Sequence, residues 1–278
     1  MHELRRNHPL EGLLKHAQLA RSTFYYQRHR LARGTDKHAA LKLQIQQIYR
    51  RHKGRYGYRR VTEALRRLGH LVNHKLIQRL MGMLGLKSLV RPKKYRSYRG
   101  EVGAIAPNVL NRRFKATSLN QKWVTDVTEF SVAGQKLYLS PIMDLFNSEI
   151  IAYQTSSKPV QLVEGMLRQA LSQLHCKDKP LLHSDQGWQY QMRSYQRMLR
   201  EHGVTQSMSR KGNCLDNAAM ESFFGTLKSE LFHLNTYQSI EQLRKGLRAY
   251  IRYYNNDRIT LKLKGLSPVE YRAQPLLT

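Results

Sequence analysis

Three acidic residues stand where an acid is out of place. Asp126 lies inside "WVTDVTEF", a run of β-branched and aromatic residues that reads as a strand. Asp185 follows a short apolar run in "LLHSDQGWQY", where a strand gives way to a polar loop through Gly187. Glu221 sits in the apolar-rich helical segment "NAAMESFFGTLKSE". A buried strand avoids a carboxylate unless something compensates it. Brought together, three carboxylates repel one another and take up protons, a penalty that a divalent cation removes. Their hard oxygen ligands favour Mg2+ or Mn2+ over zinc, and no His/Cys set argues otherwise. Two such ions, roughly 3.5–4 Å apart, would activate an attacking oxygen and steady a leaving one in phosphodiester displacement. Taken singly, each acid has a plain alternative: Asp126 at a solvent-facing strand end, Asp185 in a turn, Glu221 on an exposed helix position. Asp216, five residues before Glu221, reads as a helix cap rather than a ligand.

The charge balance names the substrate class. The 278-residue chain carries a formal net charge of +29. Residues 1–115 hold 28 Lys/Arg against 5 Asp/Glu, a net of +23, whereas residues 116–278 hold 20 against 14, a net of +6. A block that positive sits against a polyanion or repels itself, so DNA or RNA is the expected partner, with a basic solvated surface or membrane-surface binding as the plain alternatives. His183 and Trp188, which flank Asp185, are candidates to orient it or to touch DNA. No apolar run approaches 18 residues and the start lacks the apolar core of a signal peptide, so no membrane is expected and the chain is placed in the cytoplasm with the nucleoid. Two distant cysteines, Cys176 and Cys214, give neither a disulfide framework nor a four-ligand zinc site.

The elements that must position the acids follow from periodicity. Residues 1–34 hold a short helix and a second one for which Ser22 is a plausible N-cap, a helix-turn-helix-like segment. Over 35–86, Leu41, Ile45 and Ile48 share one helical face; Val61, Leu65 and Leu68 form a stripe that stops at Gly69. Asn73 then caps a helix bearing Ile77, Leu80, Met81 and Leu84, which ends at Gly85. Helix, short turn, capped helix is helix-turn-helix grammar, and it leaves His74, Lys75, Gln78 and Arg79 facing outward; a structural helical hairpin has the same pattern. Arg59 and Arg60, Lys93 and Lys94, and Arg210 and Lys211 complete the basic residues assigned to DNA. Residues 87–118 read as a basic linker lying along a phosphate backbone or as a plain solvated tether. From 119 to 278, three strands in a meander, a helix, the strand "KPLLHSD" and further helices give an α/β order with a mixed sheet. Ser267, Pro268 and Glu270 form a capping box.

The segments "KGRYGYRRVTEAL", "KATSLNQKWVTDVT", "HSDQGWQY", "SRKGNCLDNAAMESFFGTLKSE" and "LSPVEYR" together resemble the second-frame transposases of the IS-three family of bacterial insertion sequences, most of all its insertion sequence one-fifty branch. That family lies within the DDE transposase and retroviral integrase superfamily. The resemblance implies an RNase H-like integrase core, a mixed five-stranded sheet with flanking helices, behind small all-α helix-turn-helix segments. It implies Asp126, Asp185 and Glu221 as catalytic and metal-binding residues, holding two Mg2+ or Mn2+ ions. It implies Lys228, seven residues beyond Glu221, as a contact to transposon-end DNA, although Lys228 could equally pair with Glu221 or lie in solvent. The activity implied is strand cleavage and strand transfer on terminal inverted repeats and target DNA, through a circular intermediate. The implied partners are double-stranded DNA, further copies of the chain on that DNA, and the upstream-frame protein, by fusion or association. Departures are visible too: no His-His-Cys-Cys zinc module precedes the core, and Ile259 and Thr260 follow Arg258 where many relatives carry a His. With no long leucine heptad near its start, the chain also fits an unfused, DNA-binding regulator without activity. A metal-dependent nuclease on the same core is the remaining alternative.

Overall fold

The computed structural model describes residues 4–32, 36–89, 106–158, 162–210 and 214–274. The chain divides into two compact units, residues 1–48 and 49–278. The first contains α1 (Leu10–His16), α2 (Arg21–Ala32) and most of α3 (Ala39–Arg51). Leu14 and Phe24 are buried in it. Ser22 does not cap α2, because the helix already begins at Arg21.

In the second unit, α4 (Tyr58–Arg67) and α5 (His74–Met83) form the expected helical pair. Val61 and Leu65 of α4 and Ile77, Leu80 and Met81 of α5 are buried, so the two stripes bury one apolar face of each helix. Leu68 departs from its stripe: it is the C-cap residue, turned to solvent at 63% exposure. Gly69 follows at φ +87°, a conformation that ends the helix without a Cβ penalty. The Asn73 side chain accepts from the Lys75 N–H and opens α5.

The sheet comprises β1 (Lys122–Thr125), β2 (Thr128–Val132), β3 (Gln135–Asp144), β4 (Ile150–Ser156), β5 (Leu181–Ser184) and β6 (Thr205–Met208). β1, β2 and β4 pair with β3 antiparallel, and β5 runs parallel between β1 and β6. The expected five strands are six because the first run is interrupted at Asp126 and Val127. The pairing continues in one register, from Thr125↔Ile142 to Thr128↔Leu139, which sets Asp126 opposite Pro141. Pro141 has no N–H to give a ladder. Asp126 turns its own carboxylate onto the Val127 N–H at 2.7 Å instead.

Two cores sandwich the sheet. One side is covered by α6 (Leu162–Leu171) and α7 (Arg193–Glu201), around Trp123, Ile142, Met166, Leu182 and Leu199. The other is covered by α8 (Ala218–Glu230) and α9 (Ile240–Asn256), around Val124, Leu139, Phe223, Leu227 and Leu247. A final helix, α10 (Pro268–Ala273), starts with the expected capping box of Ser267 and Glu270. Residues 106–113 are not a free tether: Leu110 is buried in the α8/α9 core, and the Val109 and Leu110 N–H groups donate to Ser207 Oγ at 2.9 and 3.1 Å. Among the described residues no helix is long and apolar enough to cross a membrane.

Candidate active site

The pleat of β1 decides which way Asp126 faces. Trp123 enters the α6/α7 core and Val124 the α8/α9 core, so alternation carries Asp126 to the α8 side. On β5, Leu182 pairs with Trp123 and His183 with Val124. Asp185, two residues beyond His183, therefore ends its strand level with Asp126 and on the same face. Parallel neighbours lie about 4.8 Å apart, so the two aspartates occupy adjacent positions at one end of the sheet. The third acid arrives by helix. Buried Asn217, the N-cap residue of α8, donates from Nδ2 to the Thr125 carbonyl at 3.1 Å, tying the helix start to the end of β1. Glu221 follows in the first turn of α8. Lys228, two turns on, lies along the same face with its Nζ 5.4 Å above the Phe130 ring.

The electrostatics show the cost of this arrangement. Burial, then the charges of Asp185 and Glu221, push the Asp126 carboxyl well above the usual range, while Lys228 pulls it back. Burial raises Asp185, opposed by the Gly187 N–H that its Oδ1 accepts at 2.9 Å, and burial also raises Glu221. The Lys228 ammonium is lowered by burial, with Asp126 and Glu129 favouring its charged form. Among the described residues no three His, Cys, Asp or Glu side chains stand ready as a metal cage. The donor set nevertheless fits a hard divalent cation: its members are carboxylates throughout, and their mutual penalty is the one that positive charge relieves.

Other expected site residues are placed differently. Asp216 does not cap α8. It is buried and accepts from Asn108 Nδ2, Arg112 Nε and Arg210 N, Nε and Nη2 at 2.9–3.1 Å. The Arg210 guanidinium foremost holds its carboxyl far below the ordinary range, so Arg210 is committed to Asp216. His183 neither faces outward nor orients Asp185: it is buried, with Nδ1 2.9 Å from Ser207 Oγ and Nε2 3.1 Å from Ser209 Oγ, and burial takes its pKa down to about 4. Trp188 is half exposed. The loop after Asp185 is held by residues that pattern reading passed over: Gln186 Nε2 donates to Ser209 O and Gln191 Nε2 to Gln186 O. On α5, His74, Lys75, Gln78 and Arg79 are exposed, as is Arg59 beside them on α4, and the His74 ring lies 6.2 Å from that of Tyr58. Arg60 turns inward to Glu230 at 3.2 Å. Lys93, Lys94 and Lys211 lie outside the described residues.

Comparison with known proteins gives three family matches. An integrase core domain covers residues 116–214 and again 221–276, and an HTH-like domain covers 36–94. The chain is 59% identical over 275 residues to the putative transposase InsK of insertion sequence element IS150 from Escherichia coli K12, spanning 99% of this chain and 97% of that protein. It is 34% identical over 231 residues to the transposase InsF of IS3A from the same organism, spanning 82% and 80%. Among solved structures, a chain of a simian T-cell lymphotropic virus intasome bound to the PP2A regulatory subunit B56 gamma superposes with a TM-score of 0.50 at 16% identity, covering 75% of this chain and 70% of that one. That likeness is one of fold.

Proposed function

Since this chain belongs to the insertion-sequence transposases, with an HTH-like domain ahead of an integrase core, we propose that Asp126, Asp185 and Glu221 are the carboxylates through which it cleaves and transfers DNA strands. Its function is DNA transposition and its partner is DNA. The observation that supports the site assignment is the parallel register Val124↔His183, which carries both aspartates to one strand end beneath the helix of Glu221.

When bound, a divalent ion such as Mg2+ or Mn2+ supplies Lewis acidity to the reacting phosphodiester and offsets the charge developing on its oxygens. Asp126, Asp185 and Glu221 are the residues that would hold it. Partial burial of Asp126 raises the cost of its charge beside Asp185 and Glu221, so a bound cation relieves there what solvent compensates incompletely. Asp185 is held by the Gly187 N–H, which fixes one of its oxygens and leaves the other to ligate. Lys228 extends the same helical face with its ammonium seated on Phe130, in position to take a DNA phosphate beside the carboxylates. Cutting and joining both proceed by attack of an oxygen on phosphorus, so no Ser or Tyr nucleophile is required. The exposed side chains of α5 hold the DNA: Lys75 and Arg79 suit phosphates, and Gln78 suits a base edge.

A strand-transfer assay with a pre-cut end duplex and Mn2+ tests this reading. The parent chain is expected to join strands and Asp185→Asn to lose at least about a thousandfold of that activity, the scale on which transition-state charge stabilisation operates. Undiminished joining by the Asn variant would remove the site assignment. Binding without cleavage by the parent would favour the regulator, and hydrolysis without joining the nuclease.

A further inference from the structure

A buried polar cluster lies at the other end of α8, and no part of the chemistry above uses it. Glu230 closes the helix, nine residues and about 13 Å of helical rise beyond Glu221. Its carboxylate is buried and takes four donors: Arg258 Nε at 2.8 Å and Nη2 at 2.7 Å as a bidentate fork, Tyr250 Oη at 3.0 Å and Arg60 Nη1 at 3.2 Å. Its carbonyl accepts from Arg55 Nε at 2.9 Å. The three guanidinium groups each lie over tyrosine rings: Arg55 over Tyr250 and Tyr253 at 5.3 and 4.8 Å, Arg60 over Tyr56 at 5.6 Å, Arg258 over Tyr254 at 5.6 Å. Arg55 and Arg60 precede or open α4; Arg258 and the tyrosines of the 250s belong to α9 and its exit. Two neighbouring clasps reinforce the joint. Tyr56 Oη accepts from the Ile259 N–H at 2.7 Å, and Arg67 of α4 pairs with Glu270 of α10 at 2.5 Å.

A planar fork with every carboxylate lone pair engaged admits one orientation, unlike an apolar contact that can slide. The pair α4/α5 is thus fastened to the far end of the helix whose first turn carries Glu221. We propose that Glu230 is a positioning residue: it fixes the distance along DNA between the block held by α5 and the phosphodiester presented to the carboxylate end. This inference rests on the site assignment above. The joint makes the chain a ruler, and the length it measures is set inside one unit rather than by a tether.

The full chain, end duplexes of the element that encodes it, and the same duplexes with one, two or five base pairs inserted between the protected block and the cut site provide the test. The parent should cleave the native spacing at least about tenfold faster than the two-base-pair insertion. In Glu230→Gln that ratio should collapse to about twofold, a loss within the range of coupling in one ion-pair network. A merely structural role would lower cleavage at every spacing alike and leave the ratio where it was. Arg60→Met, which keeps the Arg258 fork, should flatten the ratio part-way, and it decides the matter where Glu230→Gln does not fold. A parent indifferent to spacing, or folded variants with the parent's ratio, overturns the proposal. Activity surviving Asp185→Asn would instead sink the site assignment, so the two failures are distinguishable.

Discussion

Helix α8 carries an acid at each end, and the two are treated oppositely. At the first turn, Glu221 shares its surroundings with Asp126 and Asp185, and all three carboxyls are pushed up. At the last turn, Glu230 is buried as deeply as any of them, yet Arg258 and Arg60 hold it below the ordinary range against the cost of burial. Arginine is thus committed to one buried carboxylate, while among the described residues no arginine forms an ion pair with the other three. Asp126 is offset by the Val127 N–H and, less, by Lys228. Stability alone would balance both ends, so the unbalanced one marks the place where charge is held in readiness for something that binds.

That contrast breaks most visibly in stability. Glu230→Ala strands buried Arg258, and leaves partly exposed Arg60, without their counter-ion, and is expected to lower the denaturation free energy by about 3–5 kcal/mol. The measurement is the shift of the urea midpoint at constant slope. A change below about 1 kcal/mol would mean that the cluster is a surface-like pair.

Asp126→Asn should act in the other sense. Removing one of three mutually repelling charges is expected to leave the denaturation free energy unchanged or raise it by about 1–2 kcal/mol, while activity is lost. Added Mg2+ should raise the melting temperature of the parent and much less that of the variant, since a ligand stabilises only the form that binds it. A variant as destabilised as Glu230→Ala, or one stabilised by Mg2+ as strongly as the parent, would erase the difference between the two ends.

How far each end could be read from the sequence has a physical explanation. The carboxylate end was legible because its acids violate their local setting: an Asp among β-formers and an Asp closing an apolar run are conspicuous one at a time. Strand register then did the rest, as a pairing no pattern contains. The helix pair was legible through its two stripes and the Asn73 cap, which are local features. The Glu230 end was not. Its partners are separated by 170 residues in the case of Arg60, and "RYGYRR" and "YIRYYNNDR" read as ordinary basic, aromatic surface until a buried Glu joins them. By pattern alone Arg60 reads as a DNA contact and Asp216 as a cap, because a charged side chain with no partner nearby in sequence points outward by default. A partner distant in sequence is what reverses that default, as Arg112 and Arg210 do for Asp216.

Acid titration sharpens the comparison with the smallest effects. His52 stacks on Tyr56 at 3.8 Å beside the Glu230 cluster, and burial, then Arg51, Arg55 and Arg60, bring its pKa down to about 4. The folded chain thus keeps His52 neutral where the unfolded chain, with a pKa of about 6.5, is already protonated. Between those values the unfolded state binds more protons, so stability falls as pH falls from 6.5 toward 4. Discounted for the solvent that still reaches the ring, the loss is about 1 kcal/mol, and His52→Gln should flatten that limb. Asp126 has the reverse sign. Its raised carboxyl binds a proton in the folded chain first, so its unfavourable charge is relieved, and stability gained, as pH drops through that raised value. Asp126→Asn should therefore steepen the net acid loss that His52→Gln makes shallower. Parallel shifts in the two variants would show that neither end of α8 is electrostatically distinct.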